Sequence, residues 1–397
     1  MTLRTNVAGA TEFALQEAIS AYSDEAYTNA KKLSSTGIVG GNPLIDTTTE
    51  TFIGQMRWFK PMNPTINVAS ITDNTDGTTS SYSSEFLNYI KTVRTYGGTK
   101  VNLQDIISQQ DGLAKIGRDF AEHRAQDEHN AVLSVLRGVA ISEAMNGTAV
   151  AGGGTGLGGQ TFDNDPTDKK YGFYVDLGAD GVVTAPAAAN IGAQRASGFL
   201  NAFGMAFKDY EPDYAYMITS PEVYASLRSA NLVDNDKVVD GNIEFNTIFQ
   251  GKFRIIQTRA SQSLTTAELG FLNGGAGVDI VGTKTTFLVL PGALAMEPLA
   301  VPLPVEIDRN ASSYKGGGTT TIWNRWGYVL HPAGYNWAGD QDGFPSDAQY
   351  YDTVQATVQQ DLATSGGAVP LLTGTTGVWD RKADSALSLG ILPVFHS

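Results

Sequence analysis

The 397-residue chain has no cysteine. That excludes disulfide staples, thiolate-held zinc, iron–sulfur clusters and thiol nucleophiles, so stability must come from packing or assembly. Positive charge is scarce: 27 Lys and Arg stand against 41 Asp and Glu, a net charge of −14. Tight DNA binding is therefore not expected, because affinity for nucleic acid is driven by basic groups that neutralise phosphate. Long apolar runs are also missing. The longest, Phe287 to Val305, contains Glu297 and four prolines, so no segment is suited to the ~20 apolar residues of a membrane-spanning helix. The opening stretch MTLRTNVAGATEFALQE lacks the basic-then-apolar pattern of a secretion signal, and neither export nor a membrane partner is expected.

What is present is a foldable composition, 42% hydrophobic and 17% charged, in a chain too long for one hydrophobic core. Its 44 glycines are about 11% of residues against a usual ~7%, without a Gly-X-Y period, which points to turns and hairpins. From Thr11 to Leu33 the residues Phe13, Ile19, Tyr22, Ala26, Ala30 and Leu33 recur at helical spacing, with Lys31 and Lys32 at the end where the helix dipole favours cations. This predicts an amphipathic arm helix. Ser70 to Ser84, by contrast, holds only Ile71 and Tyr82 as large apolar side chains. Asp76-Gly77 marks a tight turn there, and the flanks Thr65 to Ile71 and Tyr89 to Tyr96 suit a long hairpin reaching away from the core. A lone hairpin is marginal in water, so this one is expected to rest on another subunit.

Asp111 is placed to cap a helix of about nine turns carrying Leu113, Ile116, Phe120, Val132, Leu136 and Val139. Its middle, Glu122 to Asn130, is polar nearly all round and fits a rod that spans a surface or crosses between units. Further on, Asn190 to Tyr210 reads as helix and Tyr214 to Thr219 as strand. Ser220-Pro221-Glu222 reads as a capped helix start with Val223, Tyr224 and Leu227 following. Strands are expected at Thr247 to Phe249 and, after a turn at Gln250-Gly251, at Phe253 to Thr258, then at Thr285 to Leu290. A second long hairpin joins Val305–Asn310 to Thr319–Leu330 through Gly316, Gly317 and Gly318.

Motifs that suggest chemistry fail on context. Gly154, Gly156 and Gly159 match a dinucleotide-binding glycine pattern, but they follow a long helix, precede the polar run Gln160 to Lys170 and lack a P-loop lysine, so a loop is expected. Asn273 to Val281 holds one calcium-binding repeat unit (Gly274, Gly275, Gly277, Asp279), a motif that needs stacked copies. The histidines are His123, His129, His331 and His396. Asp119, Glu122, His123, Asp127 and His129 share the long helix, yet Gln126 stands where a Glu-x-x-His pair would need its glutamate, and no second such helix exists. No nucleophile elbow is present. No catalytic, cofactor-binding or metal residue is assigned, nucleic-acid-binding residues are unknown, and the chain is not expected to be an enzyme.

Five ordered segments carry a more specific signal: Asp111–Gly117, Leu133–Val139, Ser220–Leu227, Pro304–Arg309, and Ile322–Arg325 with Tyr328-Val329-Leu330-His331-Pro332-Ala333-Gly334-Tyr335-Asn336-Trp337. Together they resemble the major capsid protein of a tailed bacteriophage, over about residues 100 to 340, and Trp379-Asp380-Arg381 is similar to the family's C-terminal stretch. Trp326-Gly327 and Ala333 stand where basic residues would be expected. The resemblance implies an α+β fold of the Hong Kong 97 type: an N-terminal arm (1–50), an extended β-hairpin loop (51–100), a peripheral domain with a long spine helix (101–189 and 301–340), an axial domain (190–300) and a C-terminal segment (341–397).

It also implies function: self-assembly, as hexamers and pentamers, into the icosahedral head shell around a double-stranded DNA genome. The expected partners are further copies of the chain, scaffold, portal and decoration proteins, and packaged DNA bound without sequence specificity. The location is the virion, with assembly in the host cytoplasm. The alternatives are an encapsulin-like shell of the same fold and, in another class, a calcium-stabilised surface protein resting on Asp279. Some relatives weld subunits through a loop lysine; here Lys60, Lys91 and Lys100 lie outside the tip Ser70–Ser84, so non-covalent locking is expected.

Overall fold

The computed structural model describes residues 36–48, 51–59, 84–101, 112–146, 175–176, 198–200, 202–204, 207, 212–234, 237–240, 243–258, 284–340, 343–351, 353–358, 372–382 and 389–396. The expected arm helix Thr11–Leu33, the loop segment 61–83, Gly154–Gly159 and Asn273–Val281 lie outside them. The described part is a mixed α+β structure with few helices. In chain order its elements begin Val39–Gly40 (β1), Ile53–Phe59 (β2), Ser84–Val101 (β3), helix Gly112–Asn146 (α1), Val175–Asp176 (β4), Ala215–Thr219 (β5) and helix Pro221–Ser229 (α2). Then come Val238–Asp240 (β6), Ile243–Ile248 (β7), Phe253–Gln257 (β8), Lys284–Val289 (β9), Leu294–Leu299 (β10), Val305–Asn310 (β11) and Thr319–Pro332 (β12). Tyr335–Trp337 (β13), Thr353–Val358 (β14), Leu372–Gly377 (β15), Trp379–Arg381 (β16) and Ile391–His396 (β17) complete the set.

Two sheets organise these strands. A six-stranded sheet runs β1-β10-β12-β3-β2 with β11 on β12, and a seven-stranded sheet runs β4-β17-β9-β5-β8-β7-β6. In the second sheet β5 and β17 are buried throughout and β9 at all but its first residue. Their near-continuous apolar wording is what burial on both faces requires. Of the three core clusters among the described residues, the largest joins the two sheets, from Ile90, Trp326 and Tyr328 through α1 residues Ala131–Ile141 to Met217, Leu288 and Val394.

Local signals translate directly. Ser220 caps α2, its side chain accepting from the Val223 N–H, with Pro221 in the first turn. The β7–β8 hairpin turns through Phe249, Gln250 and Gly251, all at positive φ (55°, 58° and 89°). The β11–β12 hairpin pairs Val305 with Asn324 through Asn310 with Thr319. Residues 198–200, 202–204 and 207 are helical within the stretch expected to be helix.

Three expectations are corrected. Tyr89–Tyr96 is not an arm reaching away from the core: it is the middle of β3, paired with β2 on one side and along Thr319–Val329 of β12 on the other. Leu87, Tyr89, Ile90, Lys91 and Thr92 are buried there, because Ile45, Met56 of β2 and Val329 of β12 supply apolar partners for Leu87 and Tyr89 that local wording does not reveal. The strand opposite Ser84–Ile90 is Ile53–Phe59, ahead of the Thr65 flank. The change of sheet falls between β9 and β10, at about Leu290 to Leu294 rather than near residue 300, since β10 pairs with Gly327–Pro332.

Candidate functional site

The long helix α1 comes close to its predicted span, 35 residues or about 50 Å at 1.5 Å per residue. Its first half rests one stripe on the six-stranded sheet, where Phe120 packs with Val305 and Ile322 and is flanked by Ile116 and Ile307. The polar middle is not solvated all round, as its wording suggests. Glu122, His123, Gln126 and Asn130 are exposed, but Glu128 is buried and Asp127 half-buried. Glu128 pairs with Arg124 one turn earlier, Nε to Oε1 at 3.4 Å, and Asp127 meets polar side chains of β3 and β12. Asp127 Oδ2 accepts from Trp326 Nε1 and from the Tyr328 hydroxyl, each at 3.1 Å, while Oδ1 lies 3.3 Å from Arg94 Nε.

Arg94 then reaches onward. Its Nη2 donates to Asp347 Oδ1 at 2.8 Å and its Nη1 to the Pro345 carbonyl, tying residues 345–347 to the sheet and to α1. Burial, which alone would lower the Arg94 pKa, is outweighed by Tyr328, Asp127, Asp347 and Tyr350, and the net shift is upward. For Asp347 burial dominates and raises the pKa against the pull of Arg94. Trp326, standing where a basic residue was expected, is thus a buried anchor of this junction.

The C-terminal end of α1 is the second meeting point. Ala131–Leu136 and Gly138–Glu143 are all buried, and residues 348–351, 372–377 and 379–381 pack on this end. β13 pairs with β16, setting Tyr335 opposite Arg381 and Trp337 opposite Trp379. Trp379 N–H donates to Ser142 Oγ at 3.2 Å, its indole N–H to the Tyr350 carbonyl at 3.0 Å, and Arg381 to Glu143 at 2.9 Å. Trp379 lies parallel to the Tyr350 ring at 6.4 Å, and Trp337 meets Trp379 edge-on at 5.0 Å. Gly138 makes this closeness possible: a Cβ there would lie 2.0 Å from the Tyr350 carbonyl and 2.8 Å from the Trp379 ring.

The residues weighed for chemistry scatter. His123 is exposed against Tyr96, ring centroids 4.4 Å apart, His129 is half-buried, and His331 and His396 are buried in different sheets. Among the described residues no group of three or more His, Cys, Asp or Glu is placed to hold a metal ion, and no helix among them is long and apolar enough to cross a membrane. Lys91 is buried in the six-stranded sheet with its pKa lowered by burial, Lys100 is half-buried, and Lys60 lies outside the described residues. What sequence reasoning missed is the pair of polar junctions, whose only signal is a buried-looking Trp or Tyr interleaved with Asp, Glu and Arg.

No family model matches the chain and no curated protein matches it. Solved structures do. The chain is similar to the capsid of Ralstonia phage GP4 at 12% identity and TM-score 0.43, covering 76% of this chain and 84% of that one. It is similar to the mature capsid of bacteriophage PhiM1 at 17% identity and TM-score 0.41, covering 72% and 81%. Similarity to the head structure of Helicobacter pylori bacteriophage KHP40 spans 93% of this chain and 91% of that one, at 9% identity and TM-score 0.43.

Proposed function

We propose that the chain is a head-shell coat protein of a tailed bacteriophage, a structural subunit rather than a catalyst. The observation that carries the reading is a meeting of distant segments. Tyr335–Trp337 and Trp379–Arg381 are two of the stretches that resemble the capsid family, and they pair strand to strand on the end of the long helix, whose Leu133–Val139 wording belongs to the same resemblance. In this reading α1 is the spine helix, the six-stranded sheet beside it the peripheral domain, and the seven-stranded sheet the axial domain. Residues 1–50 form the arm, and the extended loop occupies the part of 51–100 that precedes the buried centre of β3. Ile391–His396, from the C-terminal segment, adds a strand to the axial sheet. Copies of the chain are the main partners, meeting as hexamers and pentamers through interfaces well above ~1,000 Å². Packaged DNA is held without tight binding, in keeping with the net charge of −14.

Deletion of Ser70–Ser84 tests this in solution. The segment carries only two large apolar side chains, so the truncated chain is expected to keep its far-ultraviolet spectrum and melting behaviour yet to sediment as small species where the full chain sediments as capsomers or shells. Unchanged assembly, or global unfolding of the truncated chain, contradicts the assignment.

A further inference from the structure

His331 sits where β12 ends, fully buried, its ring edge-on to Trp379 with centroids 5.7 Å apart. Neither ring nitrogen has a hydrogen-bond partner. Charged groups on the neighbouring elements have partners of their own: Glu143 of α1 meets Arg381 of β16, Arg137 of α1 lies over the Tyr351 ring, Arg94 of β3 meets Asp127 and Asp347, and Glu297 of β10 accepts from the Asn42 N–H. Lys91 of β3 is drawn toward Asp46. The Tyr335 and Tyr350 hydroxyls, raised by burial, stay neutral. A neutral imidazole is tolerated in such a place; an imidazolium has two N–H groups to satisfy, and the Tyr335 backbone offsets only part of the cost of burying it.

We propose that His331 is the acid trigger of a latch holding β16 and the turn 348–351 on the end of α1. In this proposal the charged ring gains water by displacing the Trp379 ring that it meets edge-on. That movement breaks the bonds from Trp379 to Ser142 and Tyr350 and loosens Arg381 from Glu143, so the segment opens as a unit while the rest of the two sheets stays folded. His396, the other buried imidazole, is different: its Nε2 is paired with Thr286 Oγ1 at 2.9 Å inside the seven-stranded sheet.

Burial lowers the His331 pKa to about 4 from the usual 6.5, opposed in part by the Tyr335 backbone. A group depressed in the closed state contributes stability that is full above pH 6.5 and drains away as pH falls toward 4. The ratio of closed to open latch should fall by about 300-fold in all, the factor equivalent to a 2.5-unit depression, counted from well above pH 6.5 to well below pH 4.

The test is hydrogen–deuterium exchange of the full-length protein between pH 7 and pH 4, corrected for the intrinsic pH dependence of exchange. The peptide spanning 377–382 should lose protection with a midpoint between pH 6.5 and 4 while the β5 and β9 peptides keep theirs. His331→Phe should abolish the loss or move it at least one pH unit lower, and His396→Gln should leave it in place. Constant protection at 377–382 in the unaltered protein, or an unshifted transition in His331→Phe, overturns the proposal. If His331→Phe does not fold, the unaltered protein decides: opening confined to 377–382 and 348–351 supports the latch, and opening that begins in the seven-stranded sheet refutes it.

Discussion

The two halves of α1 are one continuous helix in two different environments. From Ile116 to Asn130 it lies on a single sheet, keeps one buried stripe and shows Glu122, His123, Gln126 and Asn130 to the outside. From Ala131 to Glu143 only Arg137 escapes full burial, and even its guanidinium is covered by the Tyr351 ring at 4.0 Å. The difference shows how one rod can do two jobs. The enclosed half fixes the chain's own fold, whereas the half-open one leaves a polar surface exposed.

Substitutions that respect this division should separate stability from assembly. The largest loss is expected for Glu143→Ala, which leaves Arg381 without the carboxylate it meets at 2.9 Å in a site where Glu143 is fully buried. Breaking a buried pair from one side costs about 3–5 kcal/mol, and chemical denaturation should register it as a lower midpoint with little change in slope. Gly138→Ala comes next. Helix propensity favours alanine by about 1 kcal/mol, but its Cβ would lie 2.0 Å from the Tyr350 carbonyl, and overpacking of this kind costs about 1–3 kcal/mol or more. The net effect should be a destabilisation of about 2 kcal/mol, checked by the same titration; a stabilised protein would mean that the wrapped segment yields freely.

Those two sites explain why the sequence was legible in part. The α2 cap, the β7–β8 turn and the β11–β12 hairpin are written within a few residues of one another, and their chemistry can be read along the chain. The helix itself was legible from its apolar spacing. Its two environments were not, because Asp127 meets Trp326 across 199 residues and Arg381 meets Glu143 across 238. The same distance hid the burial of β3, whose wording around Tyr89–Tyr96 suits an exposed hairpin as well as a central strand until β12 is set beside it. Helical spacing also overstated the polar middle, since a carboxylate on a rod looks solvated unless the donors that reach it are known.

On the open half the expected effect is smallest. Glu122→Ala removes an exposed charge, and its stability should stay within about 0.5 kcal/mol of the parent, as surface changes do. Its place to matter is assembly: particle yield or the salt dependence of sedimentation should change if this face meets a neighbour, and both should be unaltered if the face is only solvated.

The central claim is that this chain closes a shell from copies of itself. Negative-stain electron microscopy of the purified full-length protein tests it most directly. Closed particles of uniform size, or rings of five and six subunits, are the predicted images. A field of single 397-residue chains, unchanged when the protein is concentrated, would contradict the account.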